Sequence, residues 1–172
     1  MLVRYAVGCS VLVVCLVFLH AASVSASSFE SVSLNADGDR FLLGPSLSYL
    51  KDDGGHATIE DILVAGPNLA WERHEGTTPN FGFTSDAYWF AFSLVNADEG
   101  QSQWLLELAY PLLDSVKVYF VENTKIANHY YLGDKLPFRD RLVSHRNFLV
   151  PFDLPVGQTM DVYIRVETTS AM

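Results

Sequence analysis

The stretch TSDAYWFAFSLVN, residues 84–96, decides the fold class predicted for this chain. Its apolar side chains run through at least eight residues without a helical period, and this block of aromatic residues is typical of a β-strand. Successive side chains of a strand point to opposite faces. One face would carry Tyr88, Phe90, Phe92 and Leu94, and the other Trp89, Ala91, Ser93 and Val95. Both faces of this strand carry apolar side chains that alternate along the sequence, so the alternation does not show which face packs into a core.

The same period recurs along the rest of the chain. Further alternating runs occupy residues 104–110, 115–120, 147–152 and 162–167. Turn-forming residues separate these runs at 96–100, 122–125, 133–134 and 155–158. Many short strands with one apolar face each predict an all-β fold, an antiparallel β-sandwich.

The residues before this block give weaker signals. Residues 41–53 predict two short strands around a turn at Gly44-Pro45. Thr58 has the chemistry of a helix N-cap, and two acidic residues follow it within one turn, so a single helical turn is expected over 58–63.

Residues 1–26 have the layout of a secretory signal peptide. Arg4 supplies the positive charge, Val11 to Leu19 is apolar, and small residues from Ala21 to Ala26 offer a cleavage site. The alternative is an uncleaved anchor, but the apolar run is shorter than the roughly 20 residues of a spanning helix. We expect cleavage after Ala26, a flexible lead-in over 27–40 and a sandwich domain over 41–172.

Both cysteines, Cys9 and Cys15, lie inside this signal. The exported chain is therefore expected to contain neither a disulfide nor a cysteine metal site, and its core alone must stabilise it. After residue 26 there are 20 acidic and 10 basic residues, a formal charge of −10. Such a surface repels nucleic acid and anionic headgroups. The segment from Lys135 to Arg146 is the exception.

No motif with catalytic spacing occurs in the sequence. It contains no phosphate-binding glycine loop, no His-Glu-x-x-His and no Gly-x-Ser-x-Gly. The histidines after residue 26 are widely spaced, so a metal site would have to be assembled by folding. We therefore expect neither an enzyme nor a protein with a cofactor or metal.

Two features are candidates for ligand contact. Trp89 lies on the strand face opposite Phe90 and Phe92, and a tryptophan ring stacks well on flat ligands; the alternative is that it too fills the core. The segment LPFRDRLVSHR, residues 136–146, concentrates Arg139, Arg141, His145 and Arg146 in an acidic chain. Arginines there could bind carboxylates, or could join two sheets through ion pairs with neighbouring aspartates.

Four blocks of the sequence resemble a known family. They are NFGFTSDAYWFAFSLVN, WLLELAYPLLDSVKVYF, GDKLPFRDRLVSHRNFLVPFDLP and DVYIRVETTSAM, and the resemblance covers roughly residues 47–172. The family is the second type of extracellular domain of bacterial seven-transmembrane receptors with diverse intracellular signalling modules. Ala91 departs from it, since family members commonly carry a basic residue there.

The resemblance implies a jelly-roll-like sandwich in the periplasm, similar to carbohydrate-binding modules and binding a carbohydrate or similar small ligand. It also implies a membrane unit and a cytoplasmic output module, so membrane attachment is expected only through segments downstream of Met172.

Two functions follow from these observations. The first is a ligand-sensing domain in which Trp89 stacks on a carbohydrate, neutral or acidic, while Arg139, Arg141 and Arg146 bind anionic groups and His145 forms hydrogen bonds. The second is an interaction module that forms a homodimer or binds another receptor component without a small ligand.

Overall fold

The computed structural model describes residues 29–172. The predicted signal peptide and both cysteines lie outside the described residues. The described part contains nine strands, one α-helix and three short 3-10 turns. The strands are β1 (Ser31–Leu34), β2 (Ser48–Asp52), β3 (Glu72–Arg73), β4 (Ala87–Asn96), β5 (Gln103–Leu108), β6 (Ser115–Glu122), β7 (Lys125–Leu132), β8 (Phe148–Asp153) and β9 (Thr159–Glu167). The helix is α1 (Ile59–Ala65), and the 3-10 turns are Gly44–Ser46, Gly66–Asn68 and Phe138–Asp140.

The strands form two sheets. The larger has seven strands in the order β3-β2-β4-β9-β6-β7, with β1 paired to β4, and the smaller consists of β5 and β8. Every pairing is antiparallel except that of β1 with β4. The prediction of an all-β, antiparallel sandwich is thus confirmed, apart from the parallel pairing of β1 with β4.

Strand β4 lies near the middle of the large sheet and is buried on both faces. Phe90 and Phe92 join the main core, where the inner face of the sheet meets Leu106 of β5 and Val150 of β8. On the outer face, Trp89 packs in a second cluster. Both faces of β4 therefore pack into a core, and a different layer covers each face.

Helix α1 covers part of the outer face. It begins where the sequence predicts, because the Thr58 hydroxyl accepts a hydrogen bond from the Asp61 amide while the Asp61 carboxylate accepts one from the Thr58 amide. Ile59 and Ile62 lie on its buried side and pack in the cluster of Trp89.

Three elements differ from the sequence predictions. The sequence predicts a flexible segment over residues 27–40, whereas Ser31–Leu34 is a strand that runs parallel to residues 93–96 of β4. It continues the edge of β4 beyond the point where β2 ends, and it buries Leu34 in the core. Residues 41–43 form no strand, since the chain there leads into the Gly44–Ser46 turn. Strand β7, KIANHYYL, has no clear alternation of apolar and polar residues, so the sequence does not predict it.

Candidate ligand-binding groove

A row of four side chains crosses the outer face of the large sheet beside α1. Trp89 of β4 lies opposite Arg165 of β9, Arg165 lies opposite Lys117 of β6, and Lys117 lies opposite Tyr131 of β7. Since paired residues of neighbouring strands point to the same face, their side chains form one continuous line. Four strands from distant parts of the chain therefore build one surface.

The next row on this face is aromatic. Tyr119 stacks against Trp89 on one side, with ring centroids 6.0 Å apart, and against His129 on the other, with centroids 6.2 Å apart. His129 in turn meets the edge of Tyr131 at 5.4 Å. The Tyr131 ring is 56% exposed and marks the open side of this aromatic floor.

Residues 55–60 form the wall opposite Tyr131, and buried charges hold them in place. The Asp52 carboxylate accepts hydrogen bonds from the amides of His56 and Ala57, at 3.1 Å each. Arg165 donates to the carbonyl of Gly55 at 2.7 Å and forms ion pairs with Glu167 and Asp52, at 2.9 and 3.7 Å. A floor residue of β9 therefore contacts the wall directly.

The floor and the wall enclose a groove of about 380 Å³. Its lining combines aromatic rings with both hydrogen-bond donors and acceptors. The lining residues are Gly55, His56, Ala57, Thr58, Ile59, Glu60, Trp89, Lys117, Tyr119, Ile126, His129, Tyr131 and Arg165.

Charge in the groove is mixed. The Lys117 ammonium lies 5.8 Å from the centroid of the Tyr131 ring, and no carboxylate of residues 29–172 forms an ion pair with it. Glu60 supplies a carboxylate on the wall. Burial raises the pKa of Tyr119 to about 12, helped by the neighbouring Tyr131 hydroxyl and Glu60. A tyrosine hydroxyl is protonated at neutral pH even with its ordinary pKa of about 10, so Tyr119 has a proton to donate.

Trp89 lies in this groove, but not in the role that the sequence predicts. The residue is fully buried, so the face of its ring is not accessible for stacking on a ligand. Its indole nitrogen is buried and has no hydrogen-bond partner within the described residues. The reason is the cover on the outer face: α1 and Tyr119 pack against the tryptophan and leave it beneath the exposed rings.

The structure does not bring the basic loop to Trp89. Arg141 stacks over Phe148, an inner-core residue, with 4.7 Å from the guanidinium carbon to the ring centroid, whereas Trp89 belongs to the outer cluster. Arg141 also donates to the backbone carbonyls of His145 and Arg146, so it holds its own loop in shape.

The other predicted contacts of this loop are more exposed. Arg139 lies 3.7 Å from Asp140 and is open to solvent. The ring of His145 accepts a hydrogen bond from the Asn147 amide at 3.1 Å, and Arg146 is exposed. A role in ligand binding for the four residues stays a prediction.

Of the groove residues the sequence predicts only Trp89, and those that it does not predict include Lys117, Tyr119, His129, Tyr131 and Arg165. Lys117 and Tyr119 alternate with the apolar residues of β6, so their common face could be read from the sequence. The contribution of β7 could not, because its strand was not recognised.

A second cavity, of about 1300 Å³, lies on the inner side of the large sheet. Apolar side chains such as Phe90, Phe92 and Trp104 dominate it, together with residues of the segment 36–44 that runs over the inner face. Polar side chains also line it, among them Asp39, Arg40, Asn80 and Gln103. Its volume exceeds the roughly 300–1,000 Å³ that is typical of small-molecule sites, whereas the volume of the outer groove lies within that range, so the outer groove is the better candidate site.

Among residues 29–172, no group of three or more His, Cys, Asp or Glu side chains is placed to hold a metal ion. None of the helices described there has the length and apolarity needed to span a bilayer.

Comparison with known proteins identifies the family. No curated protein matches the chain. The family model described as 7TMR-DISM extracellular 2 matches residues 44–172, which is most of the chain and includes the whole groove. That family consists of extracellular receptor domains and is not a known enzyme family. The chain therefore belongs to the 7TMR-DISM extracellular 2 family, the extracellular domains of seven-transmembrane receptors, and lies in the periplasm.

Proposed function

We propose that this domain senses a carbohydrate or a similar small ligand in the outer groove and passes the signal to membrane and cytoplasmic modules of a receptor. The observation that carries the proposal is the mixed lining of the groove. Sugars offer apolar ring faces and many hydroxyl groups, and the groove supplies exposed aromatic rings beside donors and acceptors. Its volume lies in the range of small-molecule sites.

Specific roles follow from the geometry. Tyr131 is the exposed ring on which a sugar face would stack, with His129 at its edge. Lys117 and the Tyr119 hydroxyl would donate hydrogen bonds from the floor, and Glu60 would accept them at the wall. Trp89 would support these rings from below.

A route for the signal is suggested by Arg165. This residue lies in the floor, contacts Gly55 of the wall, and belongs to β9, the strand that leads into residues 168–172. A ligand that draws the wall and the floor together would favour one arrangement of β9 over another. Such a difference in affinity between two states is what shifts a receptor's equilibrium.

The experiment is a calorimetric titration of the purified protein with neutral, acidic and amino sugars at millimolar concentrations. Tyr131→Ala should weaken binding about fivefold or more, because it removes the stacking surface. Tyr110→Ala is the matched control: this tyrosine is also exposed, at 40%, but does not line the groove, and its loss should leave binding unchanged. Absence of binding by every sugar would overturn the proposal.

A second candidate, an interaction module, is favoured by β7. Within the described residues this eight-residue strand pairs only with β6, so its outer edge is open to a strand from another chain. A dimer by light scattering, together with insensitivity to sugars, would favour this candidate over the first.

A further inference from the structure

Several loops meet at one end of the sandwich. Tyr88 at the start of β4 lies opposite Val166 at the end of β9, and Val116 at the start of β6 lies opposite both Val166 and Leu132, the last residue of β7. We call this end the C-terminal pole and define it as residues 81–86, 109–114, 133–147 and 168–172.

The C-terminal pole exposes apolar side chains. Six of the twelve large apolar or aromatic side chains that are exposed within the described residues lie there. They are Phe83, Tyr110, Leu112, Leu136, Phe138 and Leu142. Phe83 is 84% exposed and Phe138 is 55% exposed, so both rings stand out from the surface. A concentration of exposed apolar residues of this kind marks an interaction surface.

Basic residues lie in the same part of the chain as several of these exposed apolar side chains. Residues 135–146 contain Lys135, three arginines and one carboxylate, in a chain of net charge −9. Arg141 is engaged within the loop, and its guanidinium carbon lies 4.9 Å from the centroid of the Phe138 ring. Arg139 and Arg146 are exposed, and Arg139 lies 3.7 Å from Asp140.

Three of the four carboxylates of this pole, those of Asp86, Asp114 and Asp140, form ion pairs, and Asp134 forms none within the described residues. Lys51 pairs with Asp53 and Asp86, at 2.7 and 3.0 Å. Lys135 pairs with Asp114 at 3.0 Å. Arg165 pairs with Glu167 and Asp52. The pole thus carries four cations, Lys135, Arg139, Arg141 and Arg146, against its four carboxylates, whereas the chain as a whole has a net charge of −9.

The pole is also held together as one unit. Asp114 accepts hydrogen bonds from the amide and hydroxyl of Thr169, at 2.9 and 2.8 Å, while it binds Lys135 of the basic loop. Phe83 forms a bridge with Ala171. The exposed rings therefore belong to segments that are tied to residues 168–172.

We propose that the C-terminal pole docks onto an anionic phospholipid surface. Phe83, Leu112 and Phe138 insert into the interface between headgroups and acyl chains, and Arg139 and Arg146 bind lipid phosphates. Membership in a family of membrane-receptor domains places such a surface close to the domain. Within a receptor even weak binding would be enough to hold the pole on the lipid surface, because attachment to that membrane raises the effective concentration of the domain at the surface. This docking goes beyond the proposed ligand sensing and does not depend on it.

The test is co-sedimentation of the purified protein with vesicles of phosphatidylcholine, either alone or mixed with phosphatidylglycerol. We expect binding to the mixed vesicles that decreases as salt is added. Phe138→Ser should reduce the partition coefficient about tenfold, since it removes an inserted ring. Arg139→Gln and Arg146→Gln should each reduce it about fivefold. All three positions are exposed, so these variants should fold.

Two matched controls come from the opposite end of the sandwich. Val156→Ser removes an apolar side chain of 53% exposure, and Lys125→Gln removes an exposed cation. Neither should change vesicle binding. No binding to mixed vesicles, or equal losses in controls and pole variants, would overturn the proposal. So would a dimer in solution that Phe138→Ser dissociates without any vesicle binding, because the pole would then be a protein interface.

Discussion

At the scale of single residues, Trp89 joins the outer core to the groove. It is fully buried, stacks on Tyr119, and packs in one cluster with Ile59 and Ile62 of α1. Its indole contributes more to stability than to direct ligand contact, because none of its surface is accessible.

Trp89→Ala should lower the free energy of unfolding by about 3–5 kcal/mol, since it leaves a large cavity under α1. Trp89→Phe should cost less, because most of the ring volume is kept. Urea unfolding followed by circular dichroism measures both values. Val64→Ala, at an 88% exposed position of α1, is the control and should change the value by less than about 0.5 kcal/mol. A stable Trp89→Ala protein would contradict the described packing.

Asp114 provides a second test at this scale. The Thr169 amide, the Lys135 ammonium and the Thr169 hydroxyl stabilise its charged form and lower its pKa to about 2. In the unfolded chain an aspartate has a pKa of about 3.9. The unfolded state therefore takes up its proton first as the pH falls, and the folded state follows only near pH 2.

The stabilisation from Asp114 should be complete above about pH 4 and lost as the pH falls towards about 2. Asp114→Asn should remove this part of the pH dependence, and Lys135→Met should reduce it. Urea midpoints measured across this window in the three proteins test the expectation. The same slope in wild type and Asp114→Asn would show that the contacts of Asp114 do not act as described.

At the scale of elements, α1 is a seven-residue helix that could not persist alone. Its capping box with Thr58 and Asp61 satisfies amides at its first turn, and its burial against the sheet supplies the rest. The helix and the loop before it form the wall of the groove, so its stability bears on the site.

Thr58→Ala should destabilise the protein by about 1 kcal/mol, because it leaves the Asp61 amide without its acceptor. Thr58→Ser keeps a hydroxyl and serves as the control that should retain most of the stability. Denaturant unfolding distinguishes the two. Equal stability of Thr58→Ala and wild type would mean that solvent replaces the cap without cost.

At the scale of the whole molecule, residues 29–40 belong to the folded unit although their composition is polar. Strand β1 pairs with β4, Leu34 is buried in the main core, and Phe29 packs on Trp71 and Tyr163 of the outer cluster. This segment therefore contributes to both sides of the large sheet.

A chain that begins at residue 41 should be less stable than one that begins at residue 29, by about 2 kcal/mol or more, since it lacks Leu34 and Phe29 and loses the apolar burial that they supply. Thermal and urea unfolding of the two proteins make the comparison directly. If both unfolded at the same denaturant concentration, the segment would be the flexible lead-in that the sequence predicts.

The sequence by itself determined the class of fold, the family and the start of α1. Period two in residues 88–95 and in the later runs sets the faces of each strand, and Thr58 with Asp61 sets a helix start through contacts three residues apart. These signals are local, so they can be read from neighbouring residues alone. The sequence does not predict strand β7, because most of its residues are exposed and it therefore lacks the alternation of apolar and polar residues that a half-buried strand shows.

Only the tertiary structure decided where the groove lies. Its floor takes Trp89, Arg165, Lys117 and Tyr131 from β4, β9, β6 and β7, whose spatial order differs from their order in the chain. The tertiary structure likewise buried Trp89 and separated it from the basic loop. Period two assigns a side chain to one face of its strand, but strand order, register and the layer that covers that face depend on contacts between distant parts of the chain.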